Sequence, residues 1–180
     1  MNKKKLVRKK INKRRKGING RNKGSTFERK IAKHLSDWCG YECRRTPMSG
    51  GWSKQSGDIT PKHPEDMIRF KFNIECKNQN ILKVQTLFTF PKSTLIKKWW
   101  KQCSSEAKAN KKYPLLVFTR PQIPIFVMTE IKYIKQIWNN HKSNITFLLR
   151  DGNFGIILWE DLLKIPYKDV VQCMKKGKMK

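Results

Sequence analysis

Asp58, Glu75 and Lys77 are the residues whose types and spacing could do chemistry in this sequence. Gly57-Asp58-Ile59 leads through a turn marked by Pro61, Pro64, Glu65 and Asp66 into Phe70-Lys71-Phe72-Asn73-Ile74-Glu75-Cys76-Lys77. Along this second segment Ile68, Phe70, Phe72, Ile74 and Cys76 fall on one side, and Arg69, Lys71, Asn73, Glu75 and Lys77 on the other. That is the period of two of a β-strand, so Glu75 and Lys77 point the same way. Asp58, at the end of a short preceding strand, folds back toward them if the turn closes a hairpin. Two carboxylates and an ammonium on one spot suit a hard divalent cation, which takes one or two carboxylates and fills its shell with water and phosphate oxygens. Asp58 and Glu75 are the candidate ligands, and the backbone carbonyl of Cys76 is a third. Lys77 would orient or help deprotonate an attacking water and offset charge on the phosphoryl oxygens. A turn aspartate and ordinary polar residues on a wet strand face account for the same spacing, so the pattern alone leaves both readings open.

The neighbouring segments must position these groups. Ser25 reads as an N-cap, followed by Phe27, Ile31, Leu35 and Trp38 at helical spacing and a stop near Gly40. Glu28, three residues after Ser25, fits a capping box, which accounts for it without any catalysis. Tyr41 to Thr46 reads as a strand, and Pro47 to Ser53 as a Gly- and Ser-rich loop able to approach a phosphate through backbone N–H groups. The region from Asn78 to Phe90 fits a short strand or an irregular excursion. The clearest helix starts at Pro91 and Ser93 and carries Leu95, Trp99, Cys103 and Ala107, widened by Ile96 and Trp100. Its tryptophans lie on the apolar stripe and read as core. Strands follow at Pro114–Thr119 and Ile123–Met128, then a helix at Thr129–Asn139 and a strand at Ile145–Leu149. Asp151-Gly152-Asn153 turns into Phe154–Trp159, and Trp159 to Leu163 closes as a short helix.

The 180 residues suffice for one domain with a real core. Their 41 Lys and Arg against 13 Asp and Glu, a net charge of +28, exceed what solubility needs and call for a polyanionic partner, nucleic acid first. No uninterrupted apolar run of about 18 residues suggests a membrane span. Five cysteines, an odd number without a Cys-x-x-Cys pair, read as reduced thiols. Residues 1–22 read as a disordered basic arm that lacks the apolar core of a signal peptide, residues 23–165 as the folded domain, and residues 166–180 as a frayed basic tail.

Gly57-Asp58 followed by Glu75-Cys76-Lys77 at the end of an apolar strand resembles the PD-(D/E)XK nuclease motif, with Gly in place of the usual Pro. Lys23-Gly24-Ser25-Thr26-Phe27-Glu28-Arg29 opening a helix, Arg44-Arg45 on a strand and Ser49-Gly50-Gly51 before the aspartate resemble archaeal-type Holliday junction resolvases and their phage relatives. The similarity covers roughly residues 23 to 120. It implies an α/β, restriction-endonuclease-like fold, a central mixed sheet flanked by helices, and Mg²⁺- or Mn²⁺-dependent hydrolysis of DNA. It further implies that Glu28 lies by the metal site and that Arg44, Arg45, Ser49, Gly50, Gly51, Lys23 and Arg29 meet the nucleic acid. Gln102 is a further candidate, because the family often carries a glutamine or lysine in the helix after the second acid. Since the acid supplies the ligand, the exchange of Pro for Gly is expected to matter little. A homodimer acting on four-way junctions in the cytoplasm of a prokaryotic or phage-infected cell would follow. A structure-independent repair or restriction-type nuclease, and a non-catalytic basic nucleic-acid-binding protein, are the alternatives.

Overall fold

The computed structural model describes residues 22–47, 57–80, 94–146 and 148–178. In chain order these form α1 (22–39), β1 (Cys43–Arg45), β2 (Ile59–Pro61), α2 (Pro64–Arg69), β3 (Phe72–Asn78) and α3 (Thr94–Ala109). Then come β4 (Tyr113–Thr119), β5 (Phe126–Glu130), α4 (Ile131–His141), β6 (Leu148–Asp151), β7 (Phe154–Leu158), α5 (Trp159–Leu163) and α6 (Tyr167–Lys178). The strands make one mixed seven-stranded sheet in the order β1-β2-β3-β4-β5-β7-β6. β3 and β4 run parallel and every other pair is antiparallel. A parallel pair needs a crossover, and α3 lies within it.

Both faces of the sheet are covered, as the alternation along the central strands requires. Phe72, Ile74 and Cys76 of β3, with Leu115 and Val117 of β4, pack against Phe27, Ile31 and Leu35 of α1, Tyr133 and Ile137 of α4, and Val170 and Met174 of α6. Leu116 and Phe118 point the other way and meet Ile96, Trp99, Trp100 and Cys103 of α3. The two tryptophans are therefore core, 5% and 7% exposed. Among the described residues no helix is long and apolar enough to cross a membrane.

Three expectations change. The turn before β3 is helical: Pro64 sits in the first turn of α2, where its missing N–H costs nothing, and Ile68 is 76% exposed on that helix rather than on the inner strand face. α1 extends N-terminally past Ser25, whose hydroxyl donates to the Asn22 carbonyl, so no capping box forms and Glu28 is released for another partner. The segment from 166 is helix α6, not a frayed tail. Val170, Val171, Cys173 and Met174 are buried on one side while Lys175 and Lys176 remain exposed. Tyr167 meets the rings of Trp38, Tyr41 and Phe72 edge-on and stacks on Phe70.

Asp161, 1% exposed, pins α5 to the chain before β6. It accepts from the Thr146 backbone N–H and hydroxyl, both at 2.7 Å, and from Lys164 at 2.8 Å. Asp161→Ala removes three accepted bonds, two of them from the exposed Thr146, whose donors can turn to water, and a loss of about 1–2 kcal/mol in urea unfolding is expected. A change below about 0.5 kcal/mol would show that these bonds are replaced by water.

Candidate functional site

Asp58 takes its position from the edge of β3. β2 pairs with β3 only at Ile59↔Ile74. The Asp58 N–H donates to the Ile74 carbonyl at 2.7 Å and the Asp58 carbonyl accepts from Thr46 at 2.8 Å, so the residue is held between β1 and β3. Beyond Ile74 the Asp58 carboxylate takes the place of a strand partner, accepting from the Cys76 N–H at 2.8 Å. The N–H and C=O of one strand residue point to the same edge, which turns the Cys76 carbonyl toward the Asp58 side. Gly57 makes this approach sterically possible. Its φ is +82°, and a Cβ there would lie 2.9 Å from the Ile74 carbonyl oxygen and 3.2 Å from Asn73 Oδ1. The exchange of Pro for Gly is thus not a neutral one in this chain.

The Glu75 side chain leaves β3 on the face opposite the Cys76 side chain, and that face is not wet. α3 covers it, leaving the Glu75 side chain 3% exposed and paired with Lys77 Nζ. Lys77 donates also to Gln102 Oε1 at 3.4 Å. Gln102 in turn donates to Glu106 Oε1 at 3.2 Å, and Glu106 Oε2 accepts from the Gly57 N–H at 3.2 Å. A continuous chain of polar contacts thus runs from the end of β3 across α3 to the turn that carries Asp58.

The electrostatics follow from this crowding. Burial raises the Asp58 carboxyl above its ordinary range, with Glu28 and Glu106 adding to the effect and the Cys76 N–H and Lys77 opposing it. Burial, then the charge of Asp58, pushes Glu75 up to about 7, although Lys77 pulls it down. Burial works against the charged Lys77, but its bond to Glu75 and the fields of Glu75 and Asp58 outweigh it and the net shift is upward. Among the described residues, Lys77 is the cationic side chain whose charge acts on both Asp58 and Glu75, with Glu106 adding a further negative charge. An oxygen-only donor set with this excess of negative charge fits a hard divalent cation. Among the described residues no three His, Cys, Asp or Glu side chains converge as a metal cluster, and the oxygen donors available here are the Asp58 and Glu75 carboxylates and the Cys76 carbonyl.

The remaining expected residues distribute as follows. Glu28 forms an ion pair with Arg45 Nε, placing that arginine by the site, while Arg44, next to it on β1, is exposed. Lys23 and Arg29 are exposed on α1. Ser49, Gly50 and Gly51 lie outside the described residues, as do the basic arm through residue 21 and most of the excursion after Asn78. Gln102 is brought against Lys77. Glu106 is the residue that sequence reasoning missed. It is the single acid of α3, one turn beyond Gln102 and beside the buried Cys103 and Ala107, and that placement was the available signal.

Comparison with known proteins agrees with the motif. Residues 19–171 match the family described as "Phage putative PDDEXK endonuclease". Protein D14 of Escherichia phage T5 is 32% identical over 108 residues, 57% of this chain, and the chain covers 66% of that protein's length. Among solved structures, Hjc, a Holliday junction resolvase of Archaeoglobus fulgidus, is a distant likeness at 14% identity and a TM-score of 0.38, covering 83% of this chain and 96% of that one.

Proposed function

From the premise that the chain belongs to the phage PDDEXK endonuclease family, we propose that it is a Mg²⁺- or Mn²⁺-dependent endonuclease that hydrolyses DNA phosphodiesters through Asp58, Glu75 and Lys77, with Glu28 assisting. The observation that carries this reading is that the Asp58 carboxylate, bonded to Cys76, and the Glu75–Lys77 pair stand close enough at the end of β3 for their charges to act on one another. Asp58, Glu75 and the Cys76 carbonyl would hold the metal, which when bound would polarise the phosphoryl group and acidify an attacking water. Lys77, steadied by Gln102, orients that water and offsets charge on the phosphoryl oxygens. Arg45, paired with Glu28, and the exposed Arg44, Lys23 and Arg29 meet the backbone of the strand being cut.

The buried acids favour this reading over a non-catalytic binder. Carboxylates beside a phosphate weaken binding unless a cation bridges them. The substrate we favour is branched DNA, cut by a homodimer, because paired cuts on opposing strands of a four-way junction call for a two-fold enzyme. The deciding assay compares four-way junction, fork and linear duplex in Mg²⁺, Mn²⁺ and EDTA. Cleavage only with metal, and fastest on the junction, is expected. Equal rates on all three DNAs would remove the junction preference, and undiminished cutting in EDTA would remove the metal.

A further inference from the structure

A cleft of about 620 Å³ opens where the parallel strands β3 and β4 end, on the α1 side of the sheet, with the first turns of α1 as its facing wall. Phe27 and Ile123 give it an apolar lining, Lys23 and Lys30 stand on the α1 side, and Asn78 and Arg120 form its floor. Asn78 follows Lys77 directly, so the floor continues the strand that carries the site. Asn78 Oδ1 and Arg120 Nε are shielded from water and have no hydrogen-bond partner among the described residues. Native proteins rarely leave a buried acceptor or donor unpaired, and here one of each lines the same cleft.

We propose that this cleft receives one unpaired nucleotide of the DNA substrate, an inference that takes its partner from the nuclease reading. On binding, the Asn78 and Arg120 side chains turn toward the cleft, where the edge of a nucleobase offers donors and acceptors to Oδ1 and Nε and its faces suit Phe27 and Ile123. Lys23 and Lys30 match the phosphates on either side. The volume lies within the roughly 300–1,000 Å³ of small-ligand pockets. A paired base cannot enter, because its edge is engaged and its faces are stacked, whereas a nucleotide at a gap, flap or junction centre is free to turn out. The cleft thereby selects interrupted duplex over continuous duplex, at the end of the strand that carries Glu75 and Lys77.

The test uses the full chain in Ca²⁺, a fluorescent duplex carrying one bulged 2-aminopurine nucleotide, and the same duplex fully paired. The wild type is expected to bind the bulged duplex more tightly and to change the 2-aminopurine emission. Asn78→Ala and Arg120→Ala are each expected to weaken bulged-duplex binding about tenfold while leaving affinity for the paired duplex level. Asn78→Ala should melt no lower than the wild type, since it removes an unpartnered oxygen. Equal weakening on both duplexes, no weakening, or a lower melting temperature for Asn78→Ala would each overturn the assignment. The readout involves no cutting, so it separates the two readings. An active enzyme without bulge selectivity sinks the cleft alone, and bulge selectivity without metal-dependent cleavage sinks the nuclease reading alone.

Discussion

Glu75→Gln is expected to slow DNA cleavage by about a thousandfold or more, with affinity for DNA in Ca²⁺ nearly unchanged. The amide keeps the shape of the carboxylate but gives up the charge that a divalent cation requires, and Asp58→Asn is expected to behave alike. Glu75→Gln should also make the metal-free protein more stable at pH 8. The Glu75 carboxyl is raised to about 7 by burial and by Asp58, while an unfolded glutamate titrates near 4.3. A raised acid is protonated in the fold before it is protonated in the unfolded chain. Its ionisation therefore opposes folding as pH rises from about 4.3, and the full cost is reached above about 7. The melting temperature of the variant should exceed that of the wild type at pH 8, and the gap should close below about pH 4.5. Cleavage within tenfold of the wild type would remove Glu75 from the chemistry. A variant less stable at pH 8 would show that its pairing with Lys77 outweighs its burial.

What could be read from the sequence followed from periodicity. β3 and α3 were legible because Phe72, Ile74 and Cys76 alternate and Trp99, Cys103 and Ala107 recur at helical spacing. The same alternation put Glu75 and Lys77 on one face, but it could not say that a helix covers that face, because the cover comes from α3, whose polar contacts Gln102 and Glu106 stand beside its apolar stripe. The helix α2 escaped because Pro64-Glu65-Asp66 has the composition of a turn, and a proline starts a helix as readily as it ends one. Lysines obscured α6 in the same way: the adjacent pairs Val170-Val171 and Cys173-Met174 are its inner face. Arg45 and Glu28 are 17 residues apart, and only the pairing of β1 with β2 and the extension of α1 bring them together.

Gly57 is where the local sequence departs from the PD-(D/E)XK motif it resembles and where the structure gives the departure a role. Gly57→Pro, which supplies the proline of that motif, is expected to reduce cleavage by about a hundredfold and stability by about 3 kcal/mol. Proline holds φ near −65°, and Gly57 stands at +82°. Proline also lacks the N–H that Gly57 donates to Glu106 at 3.2 Å, and its ring would have to be placed where a Cβ already meets the Ile74 carbonyl oxygen at 2.9 Å. The turn must re-form, and Asp58, the next residue, leaves the Cys76 N–H and with it the candidate metal position. Gly57→Ala keeps the N–H and so leaves out the lost bond to Glu106, while it carries the cost of the left-handed region, about 1–2 kcal/mol, together with the Cβ contact on the Ile74 carbonyl oxygen. It should fall between the wild type and Gly57→Pro in both urea midpoint and cleavage rate. A Gly57→Pro variant as active and as stable as the wild type would mean that Asp58 reaches β3 equally well from a conventional turn, and that the bond from Gly57 to Glu106 does not hold the site together.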